Sequence, residues 1–332
     1  MRHTFHCLDG HTCGNPVRVI TGAVPALNGA TMAERRLDFQ ARYDWIRTAL
    51  MFEPRGHDMM SGSILYPPVT DAADASIIFV ETSGCLPMCG HGTIGTITMA
   101  LENGYITPRD RNQVVLDAPA GLVRAEIEWD GDHVSGVRIY NVASFLDQAD
   151  VKLQVEGLGE LVVDIAYGGN FYVIIEPQKN YPGLDAIGVD GLLSQSLQVR
   201  AAANAQLHCE HPERADINGF HHILWADAPK SDGAHARNAV FYGERAIDRS
   251  PCGTGTSARM AQLAARGTLK VGDEFVHESL IGSMFRGRVE SETRVGSKPA
   301  IIPSVQGWAV QTGVNTIYVD DRDPYKHGFV VA

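Results

Sequence analysis

The same cysteine setting occurs twice in this chain. MCGHGTIGTITMALENG runs from 88 to 104, and PCGTGTSARMAQLAARG from 251 to 267. In each, a cysteine (Cys89, Cys252) precedes Gly-x-Gly-Thr, and a glycine (Gly104, Gly267) stands fifteen residues further on. The surroundings repeat as well. GNPVRVI at 14–20 is answered by GNFYVII at 169–175, and VASFL at 142–146 by VQGWA at 305–309, which stand 163 residues apart as the cysteines do. Gly-Asn suits a turn, because both residues tolerate positive φ, and the apolar runs after it read as buried strands.

A helix follows in each half. Thr31 and Glu34 make a capping box ahead of an apolar stripe at Phe39, Tyr43, Ile46 and Leu50. Leu193, Leu197, Ala201 and Ala205 are the corresponding stripe in the second half. Val123, Ala125, Ile127 and Trp129 alternate with charged residues, which predicts a half-buried strand. The order turn, strand, helix, cysteine-headed helix, strands thus occurs twice. It predicts an α/β (α+β) fold of two similar halves meeting at a cleft. The stretch 147–159 is the expected boundary between them, and DAPKSDGA at 227–234 a surface loop.

With 332 residues, 44% hydrophobic and 20% charged, the chain can bury a sizeable core. A net charge of -11 without a basic run argues against nucleic acid or an anionic membrane surface as a partner. No apolar stretch approaches the ~18 residues that span a bilayer. The N-terminus, MRHTFHCLDG, has no apolar core of a secretory signal, so a cytoplasmic location is expected. The cysteines at 7, 13, 85, 89, 209 and 252 are too few for a disulfide framework and are expected to be thiols.

Both cysteine segments read as helices that start just after the cysteine. They are apolar on most sides, hence interior, and Gly104 and Gly267 are suited to stop them. A helix N-terminus favours a thiolate by ~0.3–2 kcal/mol. A metal site on Cys85, Cys89 and His91 lacks the spacing of common zinc pairs. GTGTSAR lacks the Lys-Ser/Thr of a phosphate loop, and no Cys-x-x-Cys suggests a redox dithiol. Inert packing would account for either cysteine alone. It does not account for both at Gly-rich helix starts, with His91 beside one and Asp248 near the other. Paired acid–base chemistry does: inverting a carbon α to a carboxylate needs a base on one face and an acid on the other, and two helix N-termini can hold the carboxylate.

MCGHGTIG and DRSPCGTGTSA resemble the proline racemase family. DGHTCGNPVR, EPRGHDMMSGSILYPP, YGGNFYVIIEPQKNY and DDRDPYKHGFVV resemble its 4-hydroxyproline-epimerising branch, and the likeness runs the length of the chain. The resemblance implies a diaminopimelate epimerase-like fold, each half wrapping strands around a central helix. Residues 1–147 plus 313–332 would form one half and 148–312 the other, the last strand returning to the first half. It implies Cys89 and Cys252 as catalytic residues, with Gly90, His91, Gly253 and Thr254 holding the substrate carboxylate and Asp248 near the ring nitrogen. The expected reaction is cofactor- and metal-independent epimerisation of trans-4-hydroxy-L-proline to cis-4-hydroxy-D-proline, serving hydroxyproline breakdown. Related 3-hydroxyproline dehydratases carry threonine where this chain has Cys252. Proline racemisation, dehydration of 3-hydroxyproline and non-enzymatic imino-acid binding are the alternatives.

His222, ahead of a strand in GFHHILW, is a candidate contact for the substrate hydroxyl. The loop carrying Arg55, His57 and Asp58 reads as a cleft wall or a structural ion pair, and Cys85 as a packed thiol. The expected partners are a small imino acid and, at most, a second copy of the chain.

Overall fold

The computed structural model describes residues 1–243 and 245–331. The fold is mixed α/β, mostly sheet, with four helices among the described residues. The chain divides into two compact units, Met1–Ile139 with Gly307–Ala332, and Tyr140–Gln306.

In the first unit, strand Arg2–Thr12 pairs antiparallel with both Asn15–Gly22 and Ala309–Asp320. The late strand therefore does come back to the beginning of the chain. Asn15–Gly22 runs parallel to Ser61–Tyr66, which pairs antiparallel with Ala75–Glu81. Helix α1 (Met32–Met51) opens with the capping box expected of Thr31 and Glu34. Its Phe39, Ile46 and Leu50 enter a core with Phe5, Ile20, Ile64, Ile78 and Val80, while Tyr43 packs at the margin. Helix α2 (Gly90–Glu102) lies on four strands, Arg2–Thr12, Asn15–Gly22, Ser61–Tyr66 and Ala309–Asp320. Every residue from Gly90 to Ala100 is buried. A buried helix can carry threonines because their hydroxyls turn back onto the preceding carbonyls: Thr93 donates to Cys89 O and Thr96 to Gly92 O.

The second unit uses the same plan. Phe171–Ile175 pairs antiparallel with Gly159–Tyr167 and parallel with His222–Asp227, which pairs antiparallel with Ala236–Tyr242. Helix α3 (Leu184–Gln206) packs on His222–Asp227, and α4 (Gly253–Ala265) is surrounded by Phe145–Val155, Gly159–Tyr167, Phe171–Ile175 and Met284–Val295. Residues 228–235, which hold all of the expected loop but Asp227, form the largely exposed connection between two strands.

Two expectations need correction. Residues 147–159 are not a boundary segment: Phe145–Val155 and Gly159–Tyr167 are the arms of one hairpin, whose bulges take up the polar residues. The stripe expected on α3 is one position out of phase. Leu192, Ser196, Val199 and Ala203 are buried, whereas Leu197, Ala201 and Ala205 are exposed. The Ala-rich sequence offers apolar residues on both faces, and the Trp225 indole, fully buried, selects the one that brings Ser196 Oγ within 2.8 Å as acceptor. No helix among the described residues is long and apolar enough to cross a membrane.

Candidate active site

Both cysteines are helix N-caps. The Cys89 sulfur accepts the Gly92 N–H at 3.3 Å, and the Cys252 sulfur accepts the Gly255 N–H at 3.4 Å. This explains the Cys-Gly-x-Gly spacing. A Cβ at Gly92 would lie 3.0 Å from the Cys89 sulfur, and one at Gly255 would lie 3.1 Å from the Cys252 sulfur. Gly90 and His91, like Gly253 and Thr254, occupy the first two helical positions, whose N–H groups have no acceptor within the helix and can face an anion. The far ends match too. Gly104 (φ 70°) and Gly267 (φ 75°) close Schellman motifs, with Tyr105 N–H on Ala100 O and Thr268 N–H on Leu263 O.

Around Cys89, the His91 Nδ1 is 3.5 Å from the sulfur, and Asn15 Nδ2 donates to Nε2 at 3.0 Å. Accepting at Nε2 leaves the proton of a neutral imidazole on Nδ1, facing the sulfur. Thr12 Oγ1 donates to His91 O at 2.8 Å, tying the head of α2 to the first strand. A third group lies close by. Carboxylate, sulfur and ring nitrogen of Glu81, Cys89 and His91 are all within 4.8 Å of one another and all three residues are buried. The trio able to contact one cation is therefore not Cys85, Cys89 and His91. Cys85 packs instead beside Asp44, and burial pushes its thiol up to about 12.

Around Cys252, the Tyr172 hydroxyl lies 3.3 Å from the sulfur and 2.6 Å from Thr254 Oγ1. Asp248, buried, accepts from Ser250 N–H and Oγ–H, both at 2.8 Å, and Ser250 Oγ accepts the Cys252 N–H. Burial pushes the Cys252 thiol up to about 12, and Asp248 adds to it, against the opposing hydrogen bonds from Tyr172, Gly255 and Thr254. The helix N-terminus alone suggests a stabilised thiolate. At Cys252 desolvation opposes it, and burial favours the thiol there.

His222 is buried with its ring 5.1 Å from that of Tyr172, and among the described residues its Nδ1 has no hydrogen-bond partner. Burial drives its pKa down to about 3, so it is neutral. Arg55 is structural: it donates to Ala49 O, Tyr325 O and Lys326 O and pairs with Asp323, fastening the C-terminal segment. His57 and Asp58 use their carbonyls to hold Met60 N–H and Thr82 Oγ1.

The structure thus gathers Cys89, Gly90 and His91 at the head of α2, and Cys252, Gly253, Thr254, Asp248 and, through Tyr172, His222 at the head of α4. Asn15, Glu81 and Tyr172 escaped the sequence reading. For Tyr172 a signal existed: aligning GNFY with GNPV sets a phenol where the other copy has Val17, within a strand expected to be buried.

Fold and site together define an α/β protein of two like-built units, each presenting a cysteine at the head of a buried helix. The sequence profile described as proline racemase matches residues 7–330. The chain belongs to the proline racemase family. It is 60% identical to the 4-hydroxyproline 2-epimerase of Brucella suis biovar 1 over 331 residues, covering 100% of this chain and 99% of that one. It is also 60% identical to the 4-hydroxyproline 2-epimerase of Ancylobacter novellus over 330 residues, 99% of each chain. Among solved structures, a hydroxyproline epimerase from Agrobacterium vitis with bound trans-4-hydroxy-L-proline superposes with a TM-score of 0.90 at 31% identity, covering 99% of this chain and 95% of that one.

Proposed function

We propose that this protein epimerises trans-4-hydroxy-L-proline to cis-4-hydroxy-D-proline without a cofactor, using Cys89 and Cys252 as paired acid and base. The observation that carries the reading is the duplicated placement of a buried thiol as the N-cap of a buried helix, one in each unit. The names of full-length relatives at 60% identity supply the substrate class.

In this reading one sulfur removes the α-proton while the other thiol delivers a proton to the opposite face, and the two exchange states with each turnover. Burial favours the thiol at Cys252, while the His91 Nδ1–H faces the Cys89 sulfur and can donate to it as a thiolate. The substrate carboxylate takes the N–H groups at the heads of the helices, at Gly90, His91, Gly253 and Thr254. Negative charge that builds on it during proton removal is stabilised there. Asp248 takes the ring ammonium. His222, buried and with Nδ1 unpartnered, is the group in the second unit suited to receive the 4-hydroxyl.

The test is optical rotation and α-deuterium content of each proline isomer incubated with pure protein in heavy water. Inversion of 4-hydroxyproline, with deuterium in early product and residual substrate still protiated, is expected. Early product that keeps its protium rejects the two-base route. Faster inversion of unsubstituted proline assigns racemase activity instead, and a cyclic imine formed from 3-hydroxyproline with loss of water assigns dehydration.

A further inference from the structure

We infer that Tyr172 is the positioning residue of the second half-site: its phenol fixes the Cys252 sulfur at the head of α4 and donates to it in the thiolate state, the part His91 takes at Cys89. This rests on the reading of Cys252 as an acid–base group. Tyr172 is fully buried on strand Phe171–Ile175, with its hydroxyl 3.3 Å from the sulfur and 2.6 Å from Thr254 Oγ1. Its ring is locked on both sides. It lies 5.1 Å from the His222 ring, and a Cβ at Gly255 would come within 3.3 Å of Cε1.

The three groups form a chain whose protons can be ordered two ways. With Cys252 ionised, Thr254 O–H donates to the phenol oxygen and the phenol donates to the sulfur. With Cys252 protonated, S–H donates to the phenol oxygen and the phenol donates to Thr254. The arrangements differ by the one proton that the sulfur gains or gives up, and otherwise only by hydroxyl rotations, so the sulfur has an oriented partner in both states. Burial holds the phenol well above its ordinary pKa, so it remains a donor while the sulfur titrates.

Among the described residues, few other titratable or charged groups act on this chain. Asp248 acts on both the sulfur and the phenol, His222 is neutral, and His221 and Arg200 act on His222. Donation to the sulfur is therefore a side-chain duty that, besides the Gly255 N–H, falls on the phenol and on Thr254, whose hydroxyl is more distant at 3.9 Å. In the first unit the position equivalent to Tyr172 in the repeat is Val17, which has no polar side-chain atom, and the imidazole two residues after the cysteine takes over with Asn15 behind it.

The experiment is Tyr172→Phe, with iodoacetamide alkylation of Cys252 followed against pH by peptide mass mapping and Cys89 as internal reference. The Cys252 profile should move to higher pH, lowering its labelling at fixed pH about tenfold, while the Cys89 profile stays. kcat/KM should fall by one common factor in the two directions, because the equilibrium fixes their ratio. An unmoved Cys252 profile, or an equal movement of both cysteines, overturns the assignment. Should Tyr172→Phe fail to fold, 3-fluorotyrosine at position 172 keeps the shape with a more acidic phenol and should move the Cys252 profile to lower pH; no movement there overturns it equally. Cys252→Ala tests the underlying reading separately: full activity in that variant removes Cys252 from catalysis whatever the alkylation profiles show.

Discussion

At Cys89 the capping residue is extended, φ -142°, and the sulfur lies 3.5 Å from an imidazole nitrogen; at Cys252 the same position has φ 65°, and the sulfur lies 3.3 Å from a phenol. The backbone devices on either side are shared: an amide on the sulfur from a glycine three residues on, and a Schellman glycine at the far end. What differs is the set of side chains that tune each sulfur. The first half-site uses an imidazole held by Asn15, and the second a phenol–hydroxyl pair with Asp248 nearby. Where a sulfur sits is thus a matter of backbone, and which side chains can donate to it a matter of neighbours, so one fold sets two cysteines in different surroundings. The positive φ at Cys252, which costs about 1–3 kcal/mol for a non-glycine residue, is retained because flanking groups hold the turn: Ser250 takes the Cys252 N–H and Asn238 donates to Pro251 O.

The largest expected effect sets the two half-sites equal. Cys89→Ala and Cys252→Ala should each abolish inversion in both directions, with losses of at least the ~10²–10⁴-fold of a general acid or base, read by polarimetry. A variant that keeps near-normal turnover breaks the equivalence. The next separates them. Gly92→Ala and Gly255→Ala should each lower kcat/KM, by roughly 10²-fold for a displaced catalytic group. Gly255→Ala should be the worse, since the ring its Cβ meets, at 3.3 Å, is that of Tyr172, which itself touches the sulfur, whereas at Gly92 the ring is that of Phe79, at 3.4 Å. Equal losses would show that the phenol's seat is not a constraint.

His222→Asn should lower kcat/KM for 4-hydroxyproline about 5–10-fold more than for proline, the loss of one neutral hydrogen bond. An identical loss on both substrates removes His222 from hydroxyl recognition. Stability should fall as pH rises. Cys252, like Cys7 and Cys209, is pushed from 9.0 to about 12 by burial, so each favours folding fully below pH 9 and loses that contribution between 9 and about 12, where the unfolded chain ionises first. Cys252→Ala should flatten this alkaline limb in thermal melts; an unchanged slope would mean that Cys252 is not desolvated in solution. Smallest is Thr31→Ala, which removes the cap of α1, remote from either cysteine. It should cost ~1 kcal/mol of stability with kcat/KM unchanged, and altered catalysis would show that the first half-site senses α1.

The elements that were legible in the sequence are those whose hydrogen bonds close within a few residues. The starts and stops of α2 and α4 depend on a cysteine, a glycine three residues later and a glycine fifteen later. The start of α1 depends on Thr31 and Glu34, and the strands after Gly-Asn on short apolar runs. Such patterns are written locally, and their duplication revealed two like halves. Tertiary structure alone decided which face of α3 is buried, because Ser196 had to meet the Trp225 indole on a distant strand. It set Glu81 rather than Cys85 beside Cys89 and His91, and gave Arg55 the task of fastening residues 323–326. It also brought Tyr172 to a sulfur 80 residues further along the chain and buried that sulfur, which opposes the helix dipole. Capping and turn chemistry act over one helical turn, whereas burial and through-space contact depend on what the rest of the chain folds against a group, and no local spacing encodes that.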